Sequence, residues 1–382
     1  MIGDEPASAA STVESERVSP SEGLTPAAAN RVAWNGGTAP FYEAWYAIFV
    51  DRETGDGYWI RQTLLNPLAD HPQAGGTAWF AHTCRRDPGR SFAIARRFAT
   101  AQSQIEPGRD ETVLGTPGTA DWSRWGPDAI AGAIAVDGHA ATWDLRFDDG
   151  PTGETDVHFL MPSALRRASD RRATLTIPRP RTAIAGRVVI DGRDVVVAGA
   201  PGHQAHHYGR ERADAWDWAH CAHFEDDPAA VLEALAPQLA SGRLKPTFVH
   251  LHTRDRVYRC ERAADLVRNR SSAGLGWWRF VGHDGGSRVE AEIVVEPARV
   301  LPFTYHSTAY APSRCWNTQT GDCLVRVVER GKTVLALRSR ALAAAEMHRS
   351  DLAQLPYESW SDPTEGLSPL TPSGKAGRGA TP

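Results

Sequence analysis

Lysine is nearly missing from this chain. Of 42 basic residues only Lys245, Lys332 and Lys375 are lysines, and the 46 acidic residues leave a net charge of -4. That balance argues against a dedicated nucleic-acid-binding protein, which needs a basic surface. The arginine and alanine excess fits a high-GC genome. Cysteine is also sparse: Cys84, Cys221, Cys260, Cys315 and Cys323, with no CxxC pair. This excludes a dense disulfide framework, and no structural zinc site is expected. The odd count suits a reducing compartment. No apolar run approaches the roughly 20 residues that cross a bilayer, so no stable membrane insertion is expected. The start, Met1-Ile2-Gly3-Asp4-Glu5, lacks a signal-peptide pattern, and a cytoplasmic protein is expected. There is no G-x-G-x-x-G, Walker or G-x-S-x-G pattern, so dinucleotide, nucleotide and serine-elbow chemistry have no support.

Tryptophan, by contrast, is plentiful, with 13 residues spread along the chain. A large ring with one N–H suits broad apolar pockets with a polar edge. Around these rings the pattern is strand-like. Trp45–Val50 and Tyr58–Leu64 flank a turn-rich loop, and Ala78–Thr83 follows. Ala131–Val136 and Ala140–Phe147 are joined through Asp137-Gly138, a strong hairpin signal. Trp143, Leu145 and Phe147 alternate with Asp144 and Arg146, which makes one face apolar. Gly186–Ile190 and Val195–Gly199 form another hairpin. Later strands are expected at Thr247–Thr253, Val257–Arg262, Gly276–Gly282, Arg288–Glu296, Cys323–Glu329 and Lys332–Arg340. Two segments read as short helices: Ala229–Ala236, opened by Asp227-Pro228, and the alanine-rich Ala341–Met347. The ends are Ala/Ser/Pro-rich or Gly/Pro-rich. The expected organisation is a disordered tail at 1–30, one β-barrel over 31–182, a second over 183–360, and a tail at 361–382.

Three constellations could carry chemistry. In Phe41-Tyr42-Glu43-Ala44-Trp45-Tyr46 a carboxylate sits among aromatics, an environment that favours its protonated form and suits a general acid. The alternative is a Glu paired with an arginine at a barrel rim. The densest cluster is Gly202-His203-Gln204-Ala205-His206-His207-Tyr208-Gly209, followed by Trp216–Phe224. On a strand, Trp216, Trp218, His220, Ala222 and Phe224 share one face. Seven histidines (His203, His206, His207, His220, His223, His250 and His252) suggest a metal, but His220 and His223 fall on opposite faces and the spacing matches no zinc signature. His250 and His252 do share a face. No metal is expected. Cys221 beside His220 and His223 meets the same geometric objection as a nucleophile. Gly276-Trp277-Trp278-Arg279-Phe280 reads as barrel packing.

Tyr42-Glu43-Ala44-Trp45-Tyr46 resembles the F-E-G-W-Y opening of tocopherol-cyclase-like proteins. Gly202–Gly209 with Trp216-x-Trp218 and Phe224 resembles the G…H-x-W-G…W-x-W…F stretch shared with carotenoid hydratases. His206 takes the motif His, Tyr208 its aromatic and Gly209 its closing Gly, while Ala44 replaces a Gly and Tyr208 a Trp. The resemblance implies an all-β chain of two lipocalin-like antiparallel β-barrels packed together. It also implies apolar isoprenoid- or polyketide-like ligands, and cyclisation, hydration or pericyclic chemistry with no metal or organic cofactor.

The leading expectation is a cofactor-independent enzyme acting on a large apolar small molecule. Glu43 and His206 are its candidate acids, and Trp45, Trp59, Tyr208, Trp216, Trp218 and His220 its substrate-binding residues. Aromatic faces could steady a developing cation, by about 0.5–2 kcal/mol per ring. A non-catalytic carrier of a lipophilic ligand is the alternative, and barrels filled by side chains are a third.

Overall fold

Three long hairpins close through two-residue turns: Asp137-Gly138 (φ 52° and 83°), Asp191-Gly192 (49° and 79°) and Arg330-Gly331 (49° and 78°). Two successive positive φ values are what type I′ hairpin turns require, and glycine at the second position meets the demand without steric cost. The computed structural model describes residues 24–348 apart from 67–73, 150–156, 161–172, 211, 214, 240–242, 275, 307 and 309–311. The expected tails at 1–23 and 361–382 lie outside the described residues.

Twelve strands build the first sheet: β1 (Phe41–Val50), β2 (Gly57–Asn66), β3 (Gly75–Thr83), β4 (Phe92–Ala99), β5 (Ser103–Gln104), β6 (Thr112–Gly115), β7 (Trp122–Trp125), β8 (Ala129–Val136), β9 (His139–Asp148), β10 (His158–Phe159), β11 (Thr174–Ile190) and β12 (Arg193–Gly209). Ten build the second: β13 (Ala215–Cys221), β14 (Val231–Gln238), β15 (Phe248–His252), β16 (Val257–Cys260), β17 (Arg270–Gly274), β18 (Trp277–Asp284), β19 (Ser287–Val294), β20 (Leu301–His306), β21 (Pro312–Glu329) and β22 (Lys332–His348). The named pairings are antiparallel, and the two sheets share one plan. The first strand pairs with the last, β1 with β12 and β13 with β22. The edges are drawn round: Arg96 on β4 donates to Ala135 O on β8, and Phe92 stacks on His139 at 4.2 Å. In the second sheet Asn269 Nδ2 donates to Thr247 O and Cys260 O at 2.8 and 2.9 Å, while its Oδ1 accepts from His283 N at 2.8 Å. This is the all-β, lipocalin-like architecture expected.

Several local expectations differ from the structure. The 186–199 hairpin belongs to the first sheet, because β11 pairs with β9 and β12 with β1; the change of sheet falls between Gly209 and Ala215. Ala229–Ala236 is no helix. Val231–Gln238 is strand β14, paired on both sides by β13 and β15, and its small Ala234 and Ala236 fit an interior occupied by Trp278 and Phe280. Ala341–Met347 is the end of β22, between β13 and β21. Two ladders of interstrand hydrogen bonds outweigh an alanine preference of a few tenths of a kcal/mol per residue. Among the described residues short α-helices lie elsewhere, at Pro26–Asn30 and Ala263–Leu266. The first falls within the expected N-terminal tail, and its Ala29 and Asn30 are buried.

Alternation along the strands creates three cores. Trp45, Phe49, Tyr58, Phe80 and Trp143 fill the first sheet. Trp278, Phe280, Leu232, Val249 and Val325 fill the second. Between the sheets lie Tyr46, Trp59, Trp79, Trp218 and Phe303. Burying each large apolar side chain contributes about 2–3 kcal/mol, so this middle layer binds the sheets to each other. Gly57 sits where they come closest: a Cβ there would lie 2.4 Å from Gln319 Cβ. Thr83 Oγ1 donates to Gln319 Oε1 nearby at 2.8 Å. Gly57→Ala must therefore part the sheets, with an expected loss of about 1–3 kcal/mol in a urea unfolding titration.

Candidate functional site

The candidate residues separate into two places, because β1 and β12 expose opposite faces to different cores. Glu43, Trp45, His206 and Tyr208 face into the first sheet. There the segment 24–37 lies over them. Glu43 Oε1 accepts from Ala33 N at 2.6 Å, and Oε2 accepts from Trp34 N at 2.9 Å. His206 Nδ1 donates to Ala29 O at 2.8 Å, and its Nε2 faces Glu43 Oε1 at 2.8 Å. Trp45 stacks on His206 with centroids 5.0 Å apart and donates to Asn30 O at 2.8 Å. The Tyr208 ring lies 4.8 Å from the His206 ring. Glu43 and His206 are 0% and 1% exposed, and their four polar atoms are all engaged. The matching position in the second sheet is Asp217: Glu43 stands opposite Tyr208 in register, Asp217 opposite Met347. Asp217 accepts from Lys245 Nζ at 2.8 Å.

Trp59, Trp216, Trp218 and His220 lie instead between the sheets. Trp59 packs on Phe303, and Trp216 stacks on His348 at 3.9 Å. Trp218 sits edge-on to Tyr46, and the His220 ring is 4.2 Å from that of His203. The expected face of Trp216, Trp218 and His220 is thus present on β13. Ala222 and Phe224 lie beyond the strand end at Cys221.

At one end of this layer the sheets leave a small, half-open recess lined by Tyr42, Arg61, Trp79, Arg212, Tyr305 and His306, with Glu43 also in its lining. Arg61 comes from β2 and shares a face with Trp59. Arg212 comes from the short connection between the sheets. Both guanidiniums stack on Tyr305, at 4.5 and 5.3 Å from the ring centroid, and Arg212 also lies 5.4 Å from the Tyr42 ring. Arg212 donates to His306 O. Arg61 is buried, and its Nε has no hydrogen-bond partner. Among the described residues neither guanidinium pairs with a carboxylate. Burial, and then the charge of Arg61, lowers the Arg212 pKa. Tyr42 Oη and His207 Nε2 are 2.8 Å apart; burial raises the phenol and holds the imidazole well below its usual range, so both are neutral. Tyr305 is raised by burial and then by the charge of Glu346, which accepts from Cys315 Sγ at 3.1 Å.

Sequence reasoning passed over Arg61, Arg212 and Tyr305. One signal was available: Arg61 follows Trp59 on the same face of its strand. Arg212 and Tyr305 carry no local signal, because only the docking of the sheets brings them together.

A family model described as tocopherol cyclase-like matches residues 181–348, the stretch from within β11 to the end of β22. The uncharacterized protein Rv0493c of Mycobacterium tuberculosis (strain ATCC 25618 / H37Rv) is 23% identical over 304 residues, covering 79% of this chain and 85% of that protein. Among solved structures, CghA with Sch210972 is 11% identical with a TM-score of 0.56, over 82% of this chain and 89% of that one. At that identity the likeness is one of fold. The motif resemblance therefore holds, and the chain carries a tocopherol cyclase-like region within a lipocalin-like fold of two antiparallel sheets.

Proposed function

We propose that this protein is an enzyme that binds, at the recess between its sheets, the acidic or enolisable oxygen of a large apolar molecule. There it promotes cyclisation, hydration or isomerisation without an organic cofactor. The observation that carries the reading is the pair Arg61 and Arg212. Two guanidiniums held against one tyrosine, with no carboxylate partner among the described residues, repel each other and have lost solvation, a cost of several kcal/mol per buried ion that a ligand anion offsets. Their N–H groups and the Tyr42 phenol are all donors. Such a set holds a carboxylate, or draws charge onto a carbonyl oxygen as an enolate forms. Trp79 and the inter-sheet aromatics supply the apolar wall. The family match and the fold shared with a chain solved with Sch210972 support a small-molecule role. In this reading Glu43 and His206 hold the 24–37 segment over the first sheet, since their polar atoms are already engaged. The five buried, free cysteines suit a reducing compartment such as the cytoplasm.

The test uses two probes of one chain length, oleate and oleyl alcohol, titrated against tryptophan fluorescence. Oleate is expected to bind at least about tenfold more tightly, the equivalent of one charge-assisted hydrogen bond. Arg61→Gln and Arg212→Gln should each remove that preference while leaving alcohol binding in place. Equal affinity in the wild type, or a preference that survives both substitutions, sinks the reading.

A further inference from the structure

A second polar cluster lies in the inter-sheet layer, and the proposed function does not use it. His203 comes from β12 of the first sheet. His220 and Glu233 come from β13 and β14 of the second, where they stand opposite each other in register. We propose that these three side chains form a binding site for a divalent transition-metal ion of the zinc class, which ties one sheet to the other.

Geometry comes first. One ligand atom from each residue lies within 4.8 Å of the others. Two metal bonds of about 2.0–2.2 Å set adjacent ligand atoms on the order of 3–4 Å apart, so small side-chain rotations suffice. Two imidazoles and one carboxylate form a known three-ligand set for zinc. His220 Nε2 donates to Pro180 O at 2.9 Å, which orients the ring as outer partners of metal ligands do and leaves Nδ1 as the nitrogen free to coordinate.

The cluster also has unmet demand. His203 and Glu233 are 0% and 1% exposed, yet both imidazole nitrogens and both carboxylate oxygens lack an aligned hydrogen-bond partner. His203 Nε2 approaches Glu233 Oε1 to 2.6 Å without that alignment. Buried polar atoms in native proteins nearly always have partners, so this many orphans in one place point to something they bind. The other comparable group, Asp56, His82 and Cys84, makes no such case: Asp56 Oδ2 is 3.0 Å from His82 Nε2, and Oδ1 accepts from Arg85 N at 2.9 Å.

Tyr46 and Trp218 wall the cluster, with ring centroids 5.9 and 5.7 Å from that of His203. A water would complete the coordination of the three protein ligands, and the proposal stands apart from the ligand recess.

The full chain, stripped with chelator and titrated with cobalt(II), should develop the visible d–d bands of a four- or five-coordinate site. One equivalent should saturate them and zinc should displace it. Glu233→Gln, an isosteric change, should weaken cobalt binding at least about tenfold, and His203→Ala should abolish it. Zinc should raise the midpoint of thermal unfolding of the wild type but not of Glu233→Gln. Asp56→Asn should bind like the wild type. A wild type without d–d bands at one equivalent overturns the proposal whatever the variants do, as does a folded Glu233→Gln that binds cobalt with wild-type affinity.

Discussion

Glu43→Ala is expected to destabilise the protein by about 3–5 kcal/mol, the range found when one member of a buried ion pair is removed. Three groups lose their partner at once: Ala33 N, Trp34 N and His206 Nε2. His206 would keep only its bond to Ala29 O, buried and still stacked on Trp45. Glu43→Gln keeps an acceptor for the backbone donors but turns an NH2 toward one of them, and should cost roughly half as much. Urea titrations of the three proteins measure both values. Protease cleavage between residues 24 and 37 should accelerate in Glu43→Ala, because the anchor of that segment is gone. Were Glu43 a proton donor to a ligand with no holding role, both variants would unfold like the wild type and lose only activity.

Acid should unfold the metal-free protein unusually steeply. His203, His220 and His348 are each lowered to about 3, in every case chiefly by burial. Their unfolded values are near 6.5, so between those limits the unfolded chain binds protons that the folded chain refuses. The stability these imidazoles contribute is present above about pH 6.5 and is lost as pH falls toward 3. Each then contributes a slope of about 1.4 kcal/mol per pH unit. Glu233 works in the opposite sense. Raised from 4.5 to about 7, it binds a proton in the folded state between those values, so its term weakens the fold as pH rises through that window. Near pH 5.5 the four groups together amount to about two protons, or on the order of 3 kcal/mol per pH unit. Unfolding free energies at pH 7.5, 6.5 and 5.5 test this. A flat profile would mean that these imidazoles are not buried in neutral form. His203→Gln should shallow the slope by about one proton, unless the variant lets water into the inter-sheet layer.

How far the sequence could be read depended on the range of the interaction. Trp143, Leu145 and Phe147 alternate with Asp144 and Arg146 in the sequence and do so again in β9, buried against exposed. Asp137-Gly138 turns where a two-residue hairpin must. Both are properties of neighbouring residues. The 229–236 and 341–347 segments misled for the complementary reason. Their alanines favour a helix in isolation, and the partners that make them strands lie far along the chain, Ala345 opposite both Ala219 and Thr318. With β14 read as a helix, Glu233 had no assignable face. It could not be placed beside His220, its register partner, or His203, which reaches it from the other sheet.

Glu43, Trp45, His206 and Tyr208 were expected together and are together, because β1 and β12 pair directly and bring Trp45 opposite His206. Trp59, Trp216, Trp218 and His220 were expected in the same pocket but face the other way. On a strand the choice of face is one residue of register, and which face meets which core depends on how the sheets pack.

By itself, then, the sequence determined the strand class, the turns, the two motif stretches and the aromatic wealth. Each follows from side-chain alternation and local backbone preference. Only the tertiary structure decided that Glu43 and His206 close on the segment before β1, that Arg61 meets Arg212 across Tyr305, and that His203 meets Glu233. Those contacts join residues from separate strands and, for the last two, from separate sheets. Their energy comes from removing charged and polar groups from water together, which no local pattern records.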